Sequence, residues 1–407
     1  MFRFGRKSPR TAKELDCREF GGGGMMTDIA DGSFVNIAPE PATGMGICRL
    51  VAQLDGEKVT RLDANIGFSH RGIEKILERV NTAQAPVWCD KLSRNVPFSG
   101  GYAFVLAAEK LAKIEVPERA GQIRTLLSEI ARVSALLTMT GNLARDTGNS
   151  TAGAIAAKAC QRIDALLQAI VQTPFCTYFR VGGVAHDLAD GFAQRTASWA
   201  SDGILPVLDE LKRLIDNGIF RSRTQGVGSI GLSEATAAGL TGDNARACGI
   251  KRDVRVDEPY DAYGAVKPDV PVQKAGDCYA RFKSRIDGIY QSLDIINRLL
   301  PQFADGEINA FKRSETTTLT GLSAHFEAMV YGLPLPEGEV YAAVETPFGE
   351  SGVYLVGDGS PIPYRCHFRS AGFPVMQVLP KIAVGADLLD VRTIVSSLGV
   401  VMTEVDR

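Results

Sequence analysis

Residues 117–139 read PERAGQIRTLLSEIARVSALLTM, and this stretch decides the fold. Ile123, Leu126, Leu127, Ile130, Val133, Leu136 and Leu137 recur at three- and four-residue steps, which is one face of a 3.6-residue helix. Arg119, Arg124, Glu129 and Arg132 fall largely off that stripe. Pro117 followed by Glu118 suits a helix first turn, where proline's missing N–H costs nothing and an acid favours the dipole. The same periodicity starts at Ile73 and returns over 101–113, 153–171, 190–215 and 277–300. The middle of the chain is therefore expected to be a helical bundle.

Outward from it the period changes. Between Val35 and Gly67 the runs 46–54 and 58–62 are β-type, and Asp55-Gly56 between them is a hairpin signal because both residues tolerate positive φ. Beyond Gly338 the runs 340–345 and 352–356 read as strands joined through Pro347-Phe348-Gly349. The expected class is α+β, mainly helical, with a central helical bundle flanked by small β-sheets. The expected organisation is a flexible arm over 1–30, a small antiparallel β domain over 31–70, a helical bundle over 71–330, and a C-terminal α/β segment over 331–407 packing on the core. The arm is basic at its start (Arg3, Arg6, Lys7, Arg10, Lys13) and ends in Gly21-Gly22-Gly23-Gly24. Glu14, Asp16 and Glu19 interrupt it, as they would not in a transit peptide.

The chain has 407 residues, 45% hydrophobic and 23% charged, enough for well-buried cores. A net charge of -2 argues against nucleic acid or an anionic membrane as the main partner. No apolar run approaches the roughly 20 residues that cross a bilayer, so any membrane role is expected to come through partner subunits. The eight cysteines are scattered singly with no C-x-x-C pair, which disfavours a cysteine-bound metal, an iron-sulfur cluster or a dithiol site.

Three separated stretches, Ser69-His70-Arg71-Gly72-Ile73-Glu74-Lys75, Phe179-Arg180-Val181-Gly182-Gly183-Val184 and Glu404-Val405-Asp406-Arg407, carry a resemblance. With them go Ala107-Ala108-Glu109-Lys110-Leu111, residues 115–120, Gly276-Asp277-Cys278-Tyr279-Ala280-Arg281, residues 338–345, and Pro363-Tyr364-Arg365-Cys366 running on to Arg369. In this order they resemble the 49 kDa, or D, subunit of the proton-pumping NADH-quinone oxidoreductase (complex I), a relative of the nickel-iron hydrogenase large subunit. The resemblance covers roughly 35–407. It implies a hydrogenase-like large subunit that packs against a small subunit bearing the terminal iron-sulfur cluster and encloses a quinone cavity with it. It also implies further hydrophilic-arm subunits, membrane subunits of an ion-translocating complex, and a peripheral place on the cytoplasmic face of the inner membrane. Enzyme activity would belong to the assembly, with no cofactor bound by this chain and NADH bound elsewhere.

Quinone reduction takes two electrons and two protons, so its site needs a polar headgroup pocket and proton donors, for which histidine and tyrosine are suited. The family places its histidine in an N-terminal G-P-Q-H-P-A-x-H-G segment. This chain has Ala38-Pro39-Glu40-Pro41-Ala42-Thr43-Gly44-Met45-Gly46 there, so Pro41 and Met45 stand at the family histidines. The family tyrosine follows D-R-L-D; here Asp90-Lys91-Leu92-Ser93-Arg94 puts Arg94 in its place. Glu40, Pro41, Met45 and Arg94 are the candidate cavity residues. Asp146, in Asp146-Thr147-Gly148, matches the family aspartate that backs the histidine and is the candidate catalytic residue. It needs another partner here, Arg145 or Arg94, or else caps a helix starting near 147–151.

His70, Arg71, Arg180, Arg365 and Arg369 are candidates for the subunit interface. The blander alternatives are a salt bridge from His70 or Arg71 to Glu74 or a helix start at that point, and an Arg180 that braces a tight turn. A hydrogenase nickel would need two C-x-x-C pairs. Near those locations the chain offers Cys89 alone and, over 400–404, no thiol, so no metal is expected. Gly226-Val227-Gly228-Ser229-Ile230-Gly231 has dinucleotide-loop spacing, with Asp253 near the distance of a ribose-binding acid, but residues 221–225 are too polar for the strand that should precede it. His186, His325 and His367 lack ligand spacing. The alternative function is a structural or coupling subunit of a hydrogenase-related membrane complex, without nickel and with a lost or altered substrate site. A free-standing soluble enzyme is disfavoured, because no self-contained site is visible.

Overall fold

The computed structural model describes residues 33–37, 46–93, 96–168, 170, 178–311 and 318–407. Glu40, Pro41, Met45 and Arg94 lie outside them, as does the arm expected over 1–30. The architecture is α+β and mainly helical.

Strands β1 (Ser33–Ile37), β2 (Arg49–Asp55) and β3 (Lys58–Asn65) form an antiparallel sheet in the order β1-β2-β3. Alternation sets its faces, since Leu50, Ala52 and Leu54 of β2 point inward. The turn falls one residue later than the Asp-Gly pair suggests: Asp55 still pairs with Lys58, and Gly56 (φ 59) opens the two-residue loop.

The helical part follows as α1 (Ile73–Leu77), α2 (Ala85–Asp90), α3 (Ser99–Ala112), α4 (Glu118–Asp146) and α5 (Ser150–Gln168). A small hairpin, β4 (Phe179–Arg180) with β5 (Gly183–Val184), leads to α6 (Phe192–Ser198), a π-helical turn (Trp199–Ile204) and α7 (Leu205–Ile215). Pro206 has no N–H to return to the preceding turn, and the wide turn lies directly ahead of it. Short helices α8 (Gly218–Thr224), α9 (Leu232–Ala237), α10 (Gly242–Ala247), α11 (Val254–Asp257) and α12 (Tyr263–Val266) come before the long α13 (Cys278–Leu299) and α14 (Leu319–Tyr331). Asp277 starts α13 by accepting from the Ala280 N–H at 2.7 Å.

The chain then returns to strands: β6 (Gly338–Thr346), β7 (Gly349–Gly357) and β8 (Arg365–Arg369) form a second three-stranded antiparallel sheet, in the order β6-β7-β8. It closes with α15 (Gly372–Ala383), α16 (Leu388–Leu398) and α17 (Met402–Asp406). Among the described residues no helix is long and apolar enough to cross a membrane.

Helix α4 lies at the centre, packed by α5, α13 and α16. Most of the charges off its apolar stripe do not face water. Arg124, Glu129 and Arg132 are all buried; they are tolerated because oppositely charged groups from other segments meet them inside. Arg255 lies 3.0 Å from Glu129 and 2.7 Å from Asp253, and Arg246 lies 2.8 Å from Glu345 and 3.1 Å from Asp243. Burial pushes the Glu129 carboxyl up, but the Arg255 and Arg132 guanidiniums outweigh it and hold the group below its usual value.

The sheet β6-β7-β8 packs on the bundle, with Val344, Val353 and Leu355 in the main apolar cluster. The sheet β1-β2-β3 belongs to a second cluster with α15 and α16, where Leu50, Val59 and Leu62 meet Val375, Leu379 and Ile394.

Candidate functional site

Two segments whose central residues are candidate cavity positions end against the same short helix, α17. Gly46 (φ +94), which follows Met45, backs onto Met402; a Cβ added there would lie 3.3 Å from the Met402 Cβ. Leu92 and Ser93, which precede Arg94, line a cavity together with Ser99, Gly100, Ser351, Phe368, Arg369, Ser370 and Glu404.

Local packing builds this cavity. Gly100 lets α3 meet α2, since a Cβ there would come within 2.1 Å of the Cys89 carbonyl oxygen. Asp90 accepts from the Gly101 N–H at 2.8 Å in the first turn of α3. Burial raises the Asp90 carboxyl to about 7, against the lowering effect of that N–H. Phe98, just before α3, takes a left-handed φ of 73 and stacks on Phe179 with ring centroids 4.7 Å apart.

Glu404 is buried, and its Oε1 accepts from the Ala371 N–H at 3.2 Å. Burial raises it to about 7, with the Ala371 N–H, the Ser370 hydroxyl and the more distant Arg369 charge pulling the other way. Across Ser99 a second cavity of about 20 Å³ is lined by Tyr102, Ser128, Glu129, Arg132, Tyr260, Tyr263 and Glu345. Ser128 Oγ and the Arg132 Nε and Nη2 are buried there without hydrogen-bond partners.

His70 and Arg71 join this region to the end of α17. The Asp406 carboxylate accepts from the Gly67 and Ser69 N–H groups, both at 2.8 Å, and His70 Nδ1 lies 2.7 Å from the Asp406 carbonyl oxygen. Arg71 donates to the Lys91 carbonyl at 2.7 Å and to the Thr403 carbonyl at 3.4 Å, strapping α2 to α17. Neither residue pairs with Glu74, which corrects the salt-bridge alternative, whereas a helix does start just beyond them, α1 at Ile73. Glu74 is met by Arg365 at 3.5 Å, His367 at 3.0 Å and Arg407 at 3.6 Å, and it accepts from the Phe368 N–H. Arg365 also pairs with Glu78 at 2.8 Å. Arg369, at the far end of β8, donates to the Glu350 carbonyl at 2.9 Å and to the Gly239 carbonyl at 3.3 Å.

Arg180 and Asp146 lie elsewhere. The Phe179–Val184 hairpin is held by α3 and α4: Arg124 pairs with Glu109 at 2.6 Å and donates to the Arg180 and Gly183 carbonyls, while the Gly182 N–H reaches Glu109 at 2.7 Å. Asp146 is the last residue of α4 and not a cap; Asn149 caps α5, accepting from the Ala152 N–H at 3.0 Å. Its ion-pair partner is Arg392 of α16, 3.2 Å away, and Ser396 donates to its other oxygen. Of the two arginines named from sequence, Arg145 adds only a coulombic attraction and Arg94 lies outside the described residues. Burial raises the Asp146 carboxyl, and these donors and charges offset part of the effect.

The glycine-rich stretch 226–231 runs between α8 and α9 with no strand before it, and its Gly226 N–H is taken by Asp277 at 2.8 Å. Asp253 caps α11 and pairs with Arg255, so the dinucleotide pattern lacks its leading strand and an unengaged ribose-binding acid. Among the described residues no group of three or more His, Cys, Asp or Glu could hold a metal ion. The Cys89 thiol is pushed well above its usual value by burial, which keeps it protonated.

The family model described as the respiratory-chain NADH dehydrogenase 49 kDa subunit matches residues 146–407. A D-type subunit of the NADH-quinone oxidoreductase of Sinorhizobium medicae is 39% identical over 385 residues, spanning 92% of this chain and 95% of the relative. The corresponding D-type chain of Acidiphilium cryptum is 38% identical over 390 residues, spanning 93% and 96%, and that of Magnetococcus marinus 37% over 383, spanning 92% and 96%. Matches of this length define a component of a respiratory oxidoreductase complex. The chain belongs to the 49 kDa, or D-type, family of complex I subunits.

Proposed function

We propose that this chain forms, with a small subunit bearing an iron-sulfur cluster, the cavity in which a complex I-type oxidoreductase reduces a quinone, and that it helps couple that reduction to ion translocation. The fold is read as hydrogenase-like, with the chain peripheral on the cytoplasmic face of the membrane and with membrane subunits among its partners. One observation carries the reading: the segments of Glu40, Pro41 and Met45 and of Arg94 end at Gly46 and Ser93, and both ends abut α17. A headgroup between those segments would meet backbone and side chains from four parts of the chain.

Arg71 would keep the walls of this cavity together, and His70, Arg365 and Arg369 would stand at its rim towards the partner. Asp146 would act from behind α16 on the charge of the site. On α14, Leu319, Leu322, Phe326 and Val330 form an exposed apolar stripe, which fits a chain that works inside an assembly. The test is inhibitor-sensitive quinone reduction by the intact complex, purified through a tag on this chain from cells lacking any other complex I. Turnover supports the reading. Its absence, from a complex whose clusters remain reducible, would sink it in favour of a coupling role without quinone chemistry.

A further inference from the structure

The buried arginines of the central network are unequally provided for. Arg246 has the Asp243, Asp253 and Glu345 carboxylates within 3.2 Å, and Arg255 has those of Glu129 and Asp253 within 3.0 Å. Arg132 is 2% exposed, and among the described residues no carboxylate forms a salt bridge with it. Its Nη1 donates to the Glu345 carbonyl at 3.3 Å, while Nε and Nη2 have no hydrogen-bond partner. Two N–H groups of a cation have thus given up water without a replacement, which is costly in a protein interior.

These nitrogens belong to a residue that borders a space. The cavity of about 20 Å³ between α4 and β6 is lined by Arg132, Ser128 and Glu129, and Ser128 Oγ and Glu129 Oε2 are likewise buried without hydrogen-bond partners. Glu129 takes both Arg255 and Tyr263 on its other oxygen. Helix spacing accounts for the convergence: Ser128 and Arg132 stand four residues apart on α4, and Glu129 and Arg132 three apart, so all three share a face. Pro97, Val344 and Pro347 add apolar wall.

Size and charge select what can sit there. A water needs about 10–15 Å³, so one fits and a polyatomic ion does not. An anion would meet the Glu129 and Glu345 carboxylates, and a cation would meet the Arg132 guanidinium; a neutral dipole that both accepts and donates suits both.

We propose that this cavity is a binding site for a single water, which accepts from the Arg132 guanidinium and donates to Glu129 Oε2 and Ser128 Oγ where α4 meets β6. The water solvates Arg132 in place of a carboxylate of its own. The arginine's charge is then shared among several acids, and it helps to hold Glu129 and Asp253 below their usual values. The site is independent of the quinone reading.

The test is a map of the intact complex, by electron cryomicroscopy at a resolution that shows ordered water, for the wild type and for Ser128→Val. The expected wild-type result is one peak about 2.7–3.2 Å from Arg132 Nε or Nη2 and from Glu129 Oε2 or Ser128 Oγ. Ser128→Val replaces the hydroxyl by a methyl group and adds a second, and the peak should be lost. If Ser128→Val does not assemble, Ser128→Ala replaces it; there the water keeps Arg132 and Glu129 as partners, and the peak should remain. An empty cavity in the wild type overturns the proposal, as does a guanidinium turned directly onto the Glu129 or Glu345 carboxylate. A peak that survives Ser128→Val, or that Ser128→Ala abolishes, overturns the three-partner site.

Discussion

Arg392 Nε lies 3.2 Å from Asp146 Oδ1, joining the last residue of α4 to α16, with the arginine 56% exposed and the aspartate side chain 2% exposed. Half in water, such a pair contributes about 1 kcal/mol, so Arg392→Ala should lower stability by about that amount and raise the Asp146 carboxyl further. A double-mutant cycle with Asp146→Asn, read by chemical denaturation, measures it; a coupling of zero would mean that Ser396 alone holds the carboxylate.

Asp146→Asn should slow quinone turnover while the complex assembles normally, because the amide keeps the volume and loses the charge. Unchanged turnover in a fully assembled complex removes Asp146 from the mechanism.

The central ion network predicts a larger effect. Arg255 is fully buried between Glu129 and Asp253, so Arg255→Met strips Glu129 of its salt-bridge partner, leaves Asp253 with Arg246 alone, and should cost about 3–5 kcal/mol. Glu129→Gln keeps the Arg255–Asp253 pair and should cost less. Thermal unfolding of the two variants gives the order, and equal losses would contradict it.

Glu404 makes stability depend on pH in a direction opposite to most paired acids. Its folded value is raised from 4.5 to about 7, so the native state holds a proton that the unfolded chain gives up above about pH 4.5. The contribution is fully present below that value and is lost as pH rises through about 7. With a shift of about two and a half units the loss is about 3 kcal/mol. Glu404→Gln should therefore gain in melting temperature relative to the wild type between pH 5 and pH 8, and a constant difference across that range would count against a neutral Glu404.

Gly100→Ala would place a methyl within 2.1 Å of the Cys89 carbonyl oxygen and force α2 and α3 apart at the cavity wall. The expected cost is about 1–3 kcal/mol, with Asp90 losing its bond to the Gly101 N–H. Denaturation and the infrared signature of Asp90 would report both; a variant as stable as the wild type would mean that the wall is compliant.

Much of the architecture is legible in the sequence because it follows from periodicity. The stripe from Ile123 to Leu137 marks α4, and the run that opens at Asp277 marks a capped α13, since both signals are local. The surroundings of the charges on α4 are not legible there, because amphipathicity alone does not say whether the polar face meets water. Arg124, Glu129 and Arg132 instead meet Glu109, Arg255 and the Glu345 carbonyl, partners that spacing along one helix does not reveal. Arg392 cannot be found as the partner of Asp146 for the same reason: the pair spans two helices far apart in sequence. Glu404 stands in a family motif, and no sequence signal distinguishes a carboxyl facing a buried cavity from one on the surface. Likewise Arg71 reads as an interface residue on the family resemblance, and the fold gives it two carbonyls of its own chain.

The buried network also bears on the order in which the molecule forms. Glu129, Arg246, Arg255 and Glu345 come from α4, α10, α11 and β6, and each would be stranded in a dry interior without the others. Water thus has to stay at the centre until the last of these segments arrives, so a half-built chain is soft inside instead of locked around a wrong helix pair. Pulsed hydrogen exchange during refolding should accordingly find that the amides at the middle of α4 gain protection together with those of β6, and early protection of α4 alone would show that the bundle dries without them.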